Sequence, residues 1–347
     1  MNNIILEAIN ICIQKNIPFV AYIMPEESNI NFFSNPSESF YSDTKFYVNF
    51  FADKSGNLIQ INKEFDANET INRLKDSNPL PNPSIEPHSI STTFESYSIQ
   101  ISKITSILNN IDGKVVLSRS ICDNSTNFNW GQIALEYFQK FPNTFRYIYY
   151  TKPTGCWIGS SPEIIFKHKK SENFFETMSL AGTRKIAASN CNQWDKKNID
   201  EHDYVTNFIV DVLENMGLTP IVHQSENLNF GQIEHLCNRI TSTLNNIKPI
   251  DVVTALSPTP ALAGYPVQFA LEHISKMEEH PRFCYGGFIA VEDSIGFNAY
   301  VNLRCAHFNN EKYCIYSGGG ITINSNATDE WNETESKANV LKQILNQ

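Results

Sequence analysis

The chain has 347 residues, 41% of them apolar and 18% charged, which is material for a sizeable core and excludes wholesale disorder. Lys plus Arg number 27 and Asp plus Glu 37, so the formal net charge is −10, and nothing global favours DNA, RNA or an anionic membrane as partner. An anionic substrate would need a local cationic site or a metal ion. At roughly 150 residues per domain, the length fits two domains or one large one.

Met1 to Gln14 holds no Lys or Arg, so the cationic start of a secretory signal is missing. The longest apolar runs, such as Phe19 to Met24, fall far short of the roughly 20 residues of a membrane helix. The eight cysteines (Cys12, Cys122, Cys156, Cys191, Cys237, Cys284, Cys305 and Cys314) are scattered without a C-x-x-C spacing, so reduced thiols in a cytoplasmic setting are expected and a structural zinc site is not. Residues 1–75 read as a helix, a strand at Pro18 to Met24, and further short strands such as Phe46 to Phe51. Asp76 to Pro83, with three prolines, reads as a surface connection. A helix is expected from Tyr97 to Asn110, stopping at Asp112-Gly113.

Three strand-like segments then carry isolated polar groups. Lys114 opens the apolar strand Lys114 to Arg119, and Glu163 sits between Pro162 and the apolar Ile164 to Phe166. Tyr300 to Ala306 alternates, with Tyr300, Asn302, Arg304 and Ala306 expected on one strand face. Taken singly, each of these charges reads as a strand end reaching solvent. Glycines cluster at Gly182, at Gly286-Gly287 and at Gly318-Gly319-Gly320, where close backbone approach to a ligand is possible. No Walker A or G-x-G-x-x-G pattern supports a nucleotide.

Two helices matter. From Lys196 to Met216, Val205, Phe208, Ile209, Val212 and Leu213 form a buried stripe that Glu201 extends towards the helix start. The plain reading of Glu201 is complementation of the helix dipole. From Thr328 to Leu345, Glu330, Glu333 and Lys337 share a face that continues as Leu341 and Ile344. Either Glu333 and Lys337 form an exposed i,i+4 ion pair, or the carboxylates form a hard-cation site of the kind Mg²⁺ uses.

Taken together, these segments resemble the chorismate-utilising enzymes, and within them the isochorismate synthases. The motifs stand in the family's order: Lys-Val-Val-Leu-Ser-Arg (114–119), Gly-Ser-Ser-Pro-Glu (159–163), Thr-Met-Ser-Leu-Ala-Gly-Thr-Arg (177–184), Asp-Glu-His (200–202), Glu-His-Leu (234–236), Pro-Thr-Pro-Ala-Leu-Ala-Gly (258–264), Tyr-Gly-Gly (285–287), Leu-Arg (303–304), Ser-Gly-Gly-Gly-Ile (317–321) and Glu-Trp-Asn-Glu-Thr-Glu-Ser-Lys (330–337). The resemblance covers about 97–347; residues 1–95 match poorly, as the variable part of the same fold. It implies an α/β (α+β) chain in which two large, mostly antiparallel sheets stack face to face with helices outside, all 347 residues forming one catalytic domain.

The resemblance also implies roles. Lys114 would be the general base on water, a task needing a depressed pKa, and Glu163 the general acid with a raised one. Glu201 and Glu333, with Glu330 near, would hold Mg²⁺. Gly182, Thr183, His235, Tyr285, Arg304, Gly318, Gly319, Gly320 and Lys337 would bind chorismate. The implied reaction adds water at C2 as the C4 hydroxyl leaves, giving isochorismate for menaquinone or catechol siderophore formation. No nucleic acid, membrane or glutaminase partner is implied, and a monomer is expected. Lys114 and Ala181 speak against an amine-adding, anthranilate-type enzyme, because such relatives usually carry another residue at the first position and the aminodeoxychorismate synthases a Lys at the second. A salicylate synthase, which goes on to eliminate pyruvate, is the nearest alternative; a chorismate-binding protein without catalysis is a further one. Two positions depart from the pattern: Ser257 stands where His commonly precedes Pro-Thr-Pro, and Asn198 where an acidic residue is common.

Overall fold

The computed structural model describes residues 2–38, 41–81, 85–124, 128–185, 194–230 and 233–345. In chain order its elements are α1 (Asn2–Lys15), β1 (Phe19–Ile23), β2 (Asn31–Ser34), β3 (Lys45–Val48), β4 (Ile59–Asn62), α2 (Ala67–Leu74), α3 (Phe94–Leu108), β5 (Lys114–Asn124), α4 (Trp130–Lys140), β6 (Phe145–Thr151), β7 (Gly155–Ser161), β8 (Ile164–Lys169), β9 (Phe174–Lys185) and α5 (Lys196–Asn215). There follow β10 (Ile221–Val222), β11 (Glu226–Phe230), β12 (Ile233–Thr243), α6 (Pro249–Leu256), β13 (Gly264–Tyr265), α7 (Val267–Met277), β14 (Phe288–Glu292), β15 (Gly296–Val301), β16 (Cys305–Phe308), β17 (Lys312–Ile321) and α8 (Ala327–Leu345).

The strands form two sheets. One has eight strands in the order β13-β5-β17-β16-β7-β6-β1-β2, the other nine, β10-β12-β9-β8-β15-β14-β3-β4 with β11 beside β12. Every pairing among the described strands is antiparallel. The sheets stack face to face through aromatic side chains: Phe145 of one lies on Tyr300 of the other with ring centroids 4.4 Å apart, and Phe46 meets Tyr149 at 5.3 Å. Phe145 to Thr151 and Gly155 to Ser161 are buried on both faces, polar Arg146, Ser160 and Ser161 included.

Helices cover the outside. α1, α3, α4, α7 and α8 pack on the eight-stranded sheet, α5 and α6 on the nine-stranded one. The expected stripe of α5 is present: Val205, Ile209 and Leu213 are buried at successive turns. Asp195 caps this helix, accepting the Asn198 N–H at 2.9 Å.

Two details differ from the sequence reading. Tyr300 to Ala306 is not one strand: β15 ends at Val301 in the nine-stranded sheet and β16 begins at Cys305 in the other, so Asn302-Leu303-Arg304 is a crossover. Arg304 has φ +46°, the left-handed region that a continuous strand excludes. On α8 the expected Leu341 and Ile344 are buried, with Thr334, Ala338 and Leu345, but Glu333 and Lys337 flank that stripe and stay open to solvent as an i,i+4 ion pair.

Candidate active site

The candidate site forms where the chain passes between sheets. β7 and β8 belong to different sheets, and Pro162-Glu163 makes that passage; Asn302-Leu303-Arg304 makes the return between β15 and β16. The two crossovers are tied together, the Val301 N–H donating to the Glu163 carbonyl at 3.1 Å. These passages carry a carboxyl and a guanidinium, Glu163 buried and Arg304 partly buried.

Glu163 is buried, with 6% exposure. Burial pushes its carboxyl up to about 7, against a hydrogen bond from Thr259 and the positive charge of Lys114, which both act downwards. The Thr259 hydroxyl donates to its carboxylate at 3.1 Å. Thr259 lies in the Pro-Thr-Pro segment, anchored by Lys54, whose ammonium donates to the carbonyls of Thr254, Ala255 and Ser257 as α6 ends. Ser257 thus meets Lys54 through its backbone, an interaction indifferent to its side chain.

Lys114, the first residue of β5, is 3% exposed and donates to Glu201 at 2.7 Å. Glu201 comes from the first turns of α5, so this pair joins the eight-stranded sheet to a helix of the other layer. β17 runs beside β5, with Gly320 opposite Val116 and Gly318 opposite Ser118. A Cβ on Gly320 would point at Lys114 and Glu201, and one on Gly318 would come within 2.9 Å of the Tyr285 hydroxyl. These two glycines keep the inner face of β17 bare beside the cluster. Gly319 points to the opposite face, towards Glu330, Tyr97 and Thr334.

The cationic side of the site is Arg304 and Lys337, with the His235 imidazole beside them. Among the described residues Arg304 has no ion-pair partner; its guanidinium lies 5.5 Å from the Phe141 ring centroid and is partly buried. Lys337 bridges Glu333 at 2.7 Å and the Gly318 carbonyl at 3.0 Å. Burial depresses the His235 imidazole; Arg304 and Lys337 push the same way, while a bond to the Gly182 carbonyl and the charge of Glu201 oppose them. One ring therefore feels residues from β16's approach, α8, β9 and α5.

Other side chains hold these in place. Gly182 has φ +73°, and a Cβ there would meet the Asn198 carbonyl at 3.0 Å, so only glycine lets α5 start this close to β9. Asn198 donates its amide to the capping Asp195 at 2.7 Å, a role an Asp at this position would replace with repulsion. The side chain of Thr183 lies outside the described residues; its backbone pairs with His235. Arg119 leaves the outer face of β5 to bond Thr334 at 2.7 Å and Glu335 at 3.1 Å, fixing α8 and with it Glu333 and Lys337. The buried pair Arg282 and Glu278 ties the segment before Tyr285 to β5 through the Ser118 N–H and the Val116 carbonyl. The sequence carries a signal for Thr259, in Pro-Thr-Pro-Ala-Leu-Ala-Gly, and for Arg119, at the end of Lys-Val-Val-Leu-Ser-Arg, but none for Glu278 and Arg282, which stand outside every motif.

Among the described residues no group of three or more His, Cys, Asp or Glu side chains is placed to hold a metal ion. Glu201 and Glu333 nonetheless offer a donor set of carboxylate oxygens, each balanced by one lysine and each open to solvent, at 27% and 53% side-chain exposure. That chemistry fits a hard cation that keeps several waters and takes few protein ligands.

A family model for chorismate binding enzymes matches residues 39–346, so the match reaches well into the part that reads as variable. Isochorismate synthase EntC of Escherichia coli (strain K12) is 27% identical over 267 residues, 73% of this chain and 67% of that protein. Anthranilate synthase component 1 of Saccharolobus solfataricus is 27% identical over 234 residues, 63% of this chain and 55% of that one. The solved structure of the menaquinone-specific isochorismate synthase MenF from Escherichia coli shares the fold, with a TM-score of 0.77 at 21% identity over 96% of this chain and 89% of that one. With the family matched over residues 39–346, most of its length, the chain belongs to the chorismate binding enzymes.

Proposed function

We propose that this enzyme is an isochorismate synthase: it adds water at C2 of chorismate while the C4 hydroxyl departs. The observation that carries the reading is Glu163, a buried carboxyl raised to about 7 beside Lys114. An acid near neutrality next to an amine is what a reaction needs when it takes a proton from water and gives one to a leaving hydroxyl. Chorismate is a dianion, and in a chain of net charge −10 Arg304, which has no ion-pair partner among the described residues, with Lys337, His235 and Tyr285, supplies the local anchor for its carboxylates.

In this reading Lys114 takes the proton from water and Glu163 delivers one to the departing oxygen, which leaves as water. Lys114 must be neutral to do so, and the carboxylate now facing it is Glu201. Glu201 and Glu333 would hold Mg²⁺; Glu330, expected near them, instead lies behind β17 against Gly319 and accepts from the Ser325 hydroxyl at 2.7 Å, so it stands outside that pair. When bound, the ion supplies counter-charge for the ring carboxylate of the substrate. The ion pair and the metal thus compete for one carboxylate. EDTA is expected to abolish turnover and Mg²⁺ to restore it; full activity in EDTA would remove the metal from the proposal.

The direct test is incubation of the purified protein with chorismate and Mg²⁺, resolving the products by chromatography. Isochorismate formed without ammonia supports the proposal. Stoichiometric pyruvate with salicylate would make the enzyme a salicylate synthase, and an ammonia-dependent aromatic amine would place it in the anthranilate branch.

Thr259 gives a finer check. Its hydrogen bond favours the ionised form of Glu163, so Thr259→Val is expected to move the alkaline limb of kcat/KM upward by about one pH unit, since a bond to a charged group contributes ~1.5 kcal/mol or more. The sign follows from the role: the protonated acid is the active form, activity falls as pH rises through its pKa, and loss of the donor delays that fall. Superimposable profiles for the two proteins would show that Thr259 does not tune the acid.

A further inference from the structure

Cys122 and Cys314 stand directly opposite each other in the β5–β17 ladder, and their sulfur atoms are 2.8 Å apart. Directly opposed residues of antiparallel strands have Cα atoms about 4.5–5.5 Å apart, inside the range a disulfide spans. Both thiols are free. Cys314 is fully buried, whereas Cys122 is partly exposed where β5 runs out to the exposed Asp123 and Asn124. Cys122 lies eight residues along β5 from Lys114, on the order of 26 Å of strand, so the chemistry proposed above does not use the pair.

We propose that Cys122 and Cys314 form an oxidant-reactive dithiol site that closes to a cross-strand disulfide on meeting a peroxide or a low-molecular-weight disulfide. The roles divide by access: Cys122 meets the oxidant, and Cys314 resolves the product. Burial first, and then the neighbouring Cys122, hold the Cys314 thiol well above its ordinary value, which suits a thiol that waits for its partner to be activated.

With glutathione disulfide, the Cys122 thiolate attacks one sulfur and releases one glutathione; Cys314 then attacks the Cys122 sulfur and releases the second. The two protons of the protein thiols leave on the two glutathiones. With hydrogen peroxide, Cys122 breaks the O–O bond to give a sulfenic acid and one water, and Cys314 displaces the second water as the S–S bond forms. Two thiols and one oxidant become one disulfide in either case.

The test uses the full chain, exposed to hydrogen peroxide or to glutathione disulfide, alkylated, and digested without reductant for mass spectrometry. The expected product is a linked pair of peptides carrying Cys122 and Cys314, lighter by two hydrogens than the free pair and absent after dithiothreitol. Cys314→Ser is expected to leave Cys122 as a persistent glutathione adduct. Cys122→Ser is expected to leave Cys314 reduced under the same treatment. The proposal is overturned if Cys122 is recovered as a free thiol, if it carries a stable glutathione adduct in the unmodified chain, or if it links only to another cysteine. The linked-peptide measurement on the unmodified chain stands whether or not either variant folds.

Discussion

Lys114→Ala is expected to reduce isochorismate formation by about 10²–10⁴-fold, the range for loss of a positioned general base. The fold should survive. Lys114 starts a strand, and its charge is answered by Glu201, which at 27% side-chain exposure can be rehydrated when the amine is gone. An unfolded variant would carry no information, so a circular dichroism melt accompanies the assay. Near-normal turnover by the folded protein would refute the base assignment.

Glu163→Gln should lower kcat by a similar order, about 10²–10⁴-fold, while chorismate binding changes little. The amide keeps the shape and still accepts from Thr259, so the missing element is the transferable proton. A rise in KM with kcat unchanged would make Glu163 a binding residue only. The same substitution has a stability signature. The folded carboxyl holds its proton up to about 7, against an ordinary value of 4.5, so between those pH values the folded state binds more protons than the unfolded one and stability falls as pH rises. The difference corresponds to ~3 kcal/mol, and Glu163→Gln should recover up to that amount above pH 7 and little below pH 4.5. Denaturant melts at the two pH values measure it.

Much of this site was legible in the sequence through motif order, and the structure explains why order was needed. Each motif on its own looks like a strand end or a helix end, because that is what it is. Lys114 begins β5, Gly182 lies towards the end of β9, Glu201 sits in the first turns of α5, and Glu163 and Arg304 occupy the passages between sheets. Local pattern has no way to tell an end that faces water from one that faces a cleft. Tyr300 to Ala306 makes the point: its alternation is that of a strand, and only the change of sheet at Arg304 turns it into a crossover.

What the sequence by itself determined is the family, the identities of the polar residues, and the apolar periodicity that sets α5 and the central strands, since those depend on near neighbours along the chain. What the tertiary structure decided is which groups share an electrostatic environment. Glu163 rises towards neutrality because it is buried, Lys114 meets Glu201 because β5 and α5 come from opposite layers, and Arg304 comes within electrostatic reach of His235 through the crossover. Burial, ion pairing and the approach of Cys122 to Cys314 arise between residues far apart in the chain, and their magnitudes follow distance in space.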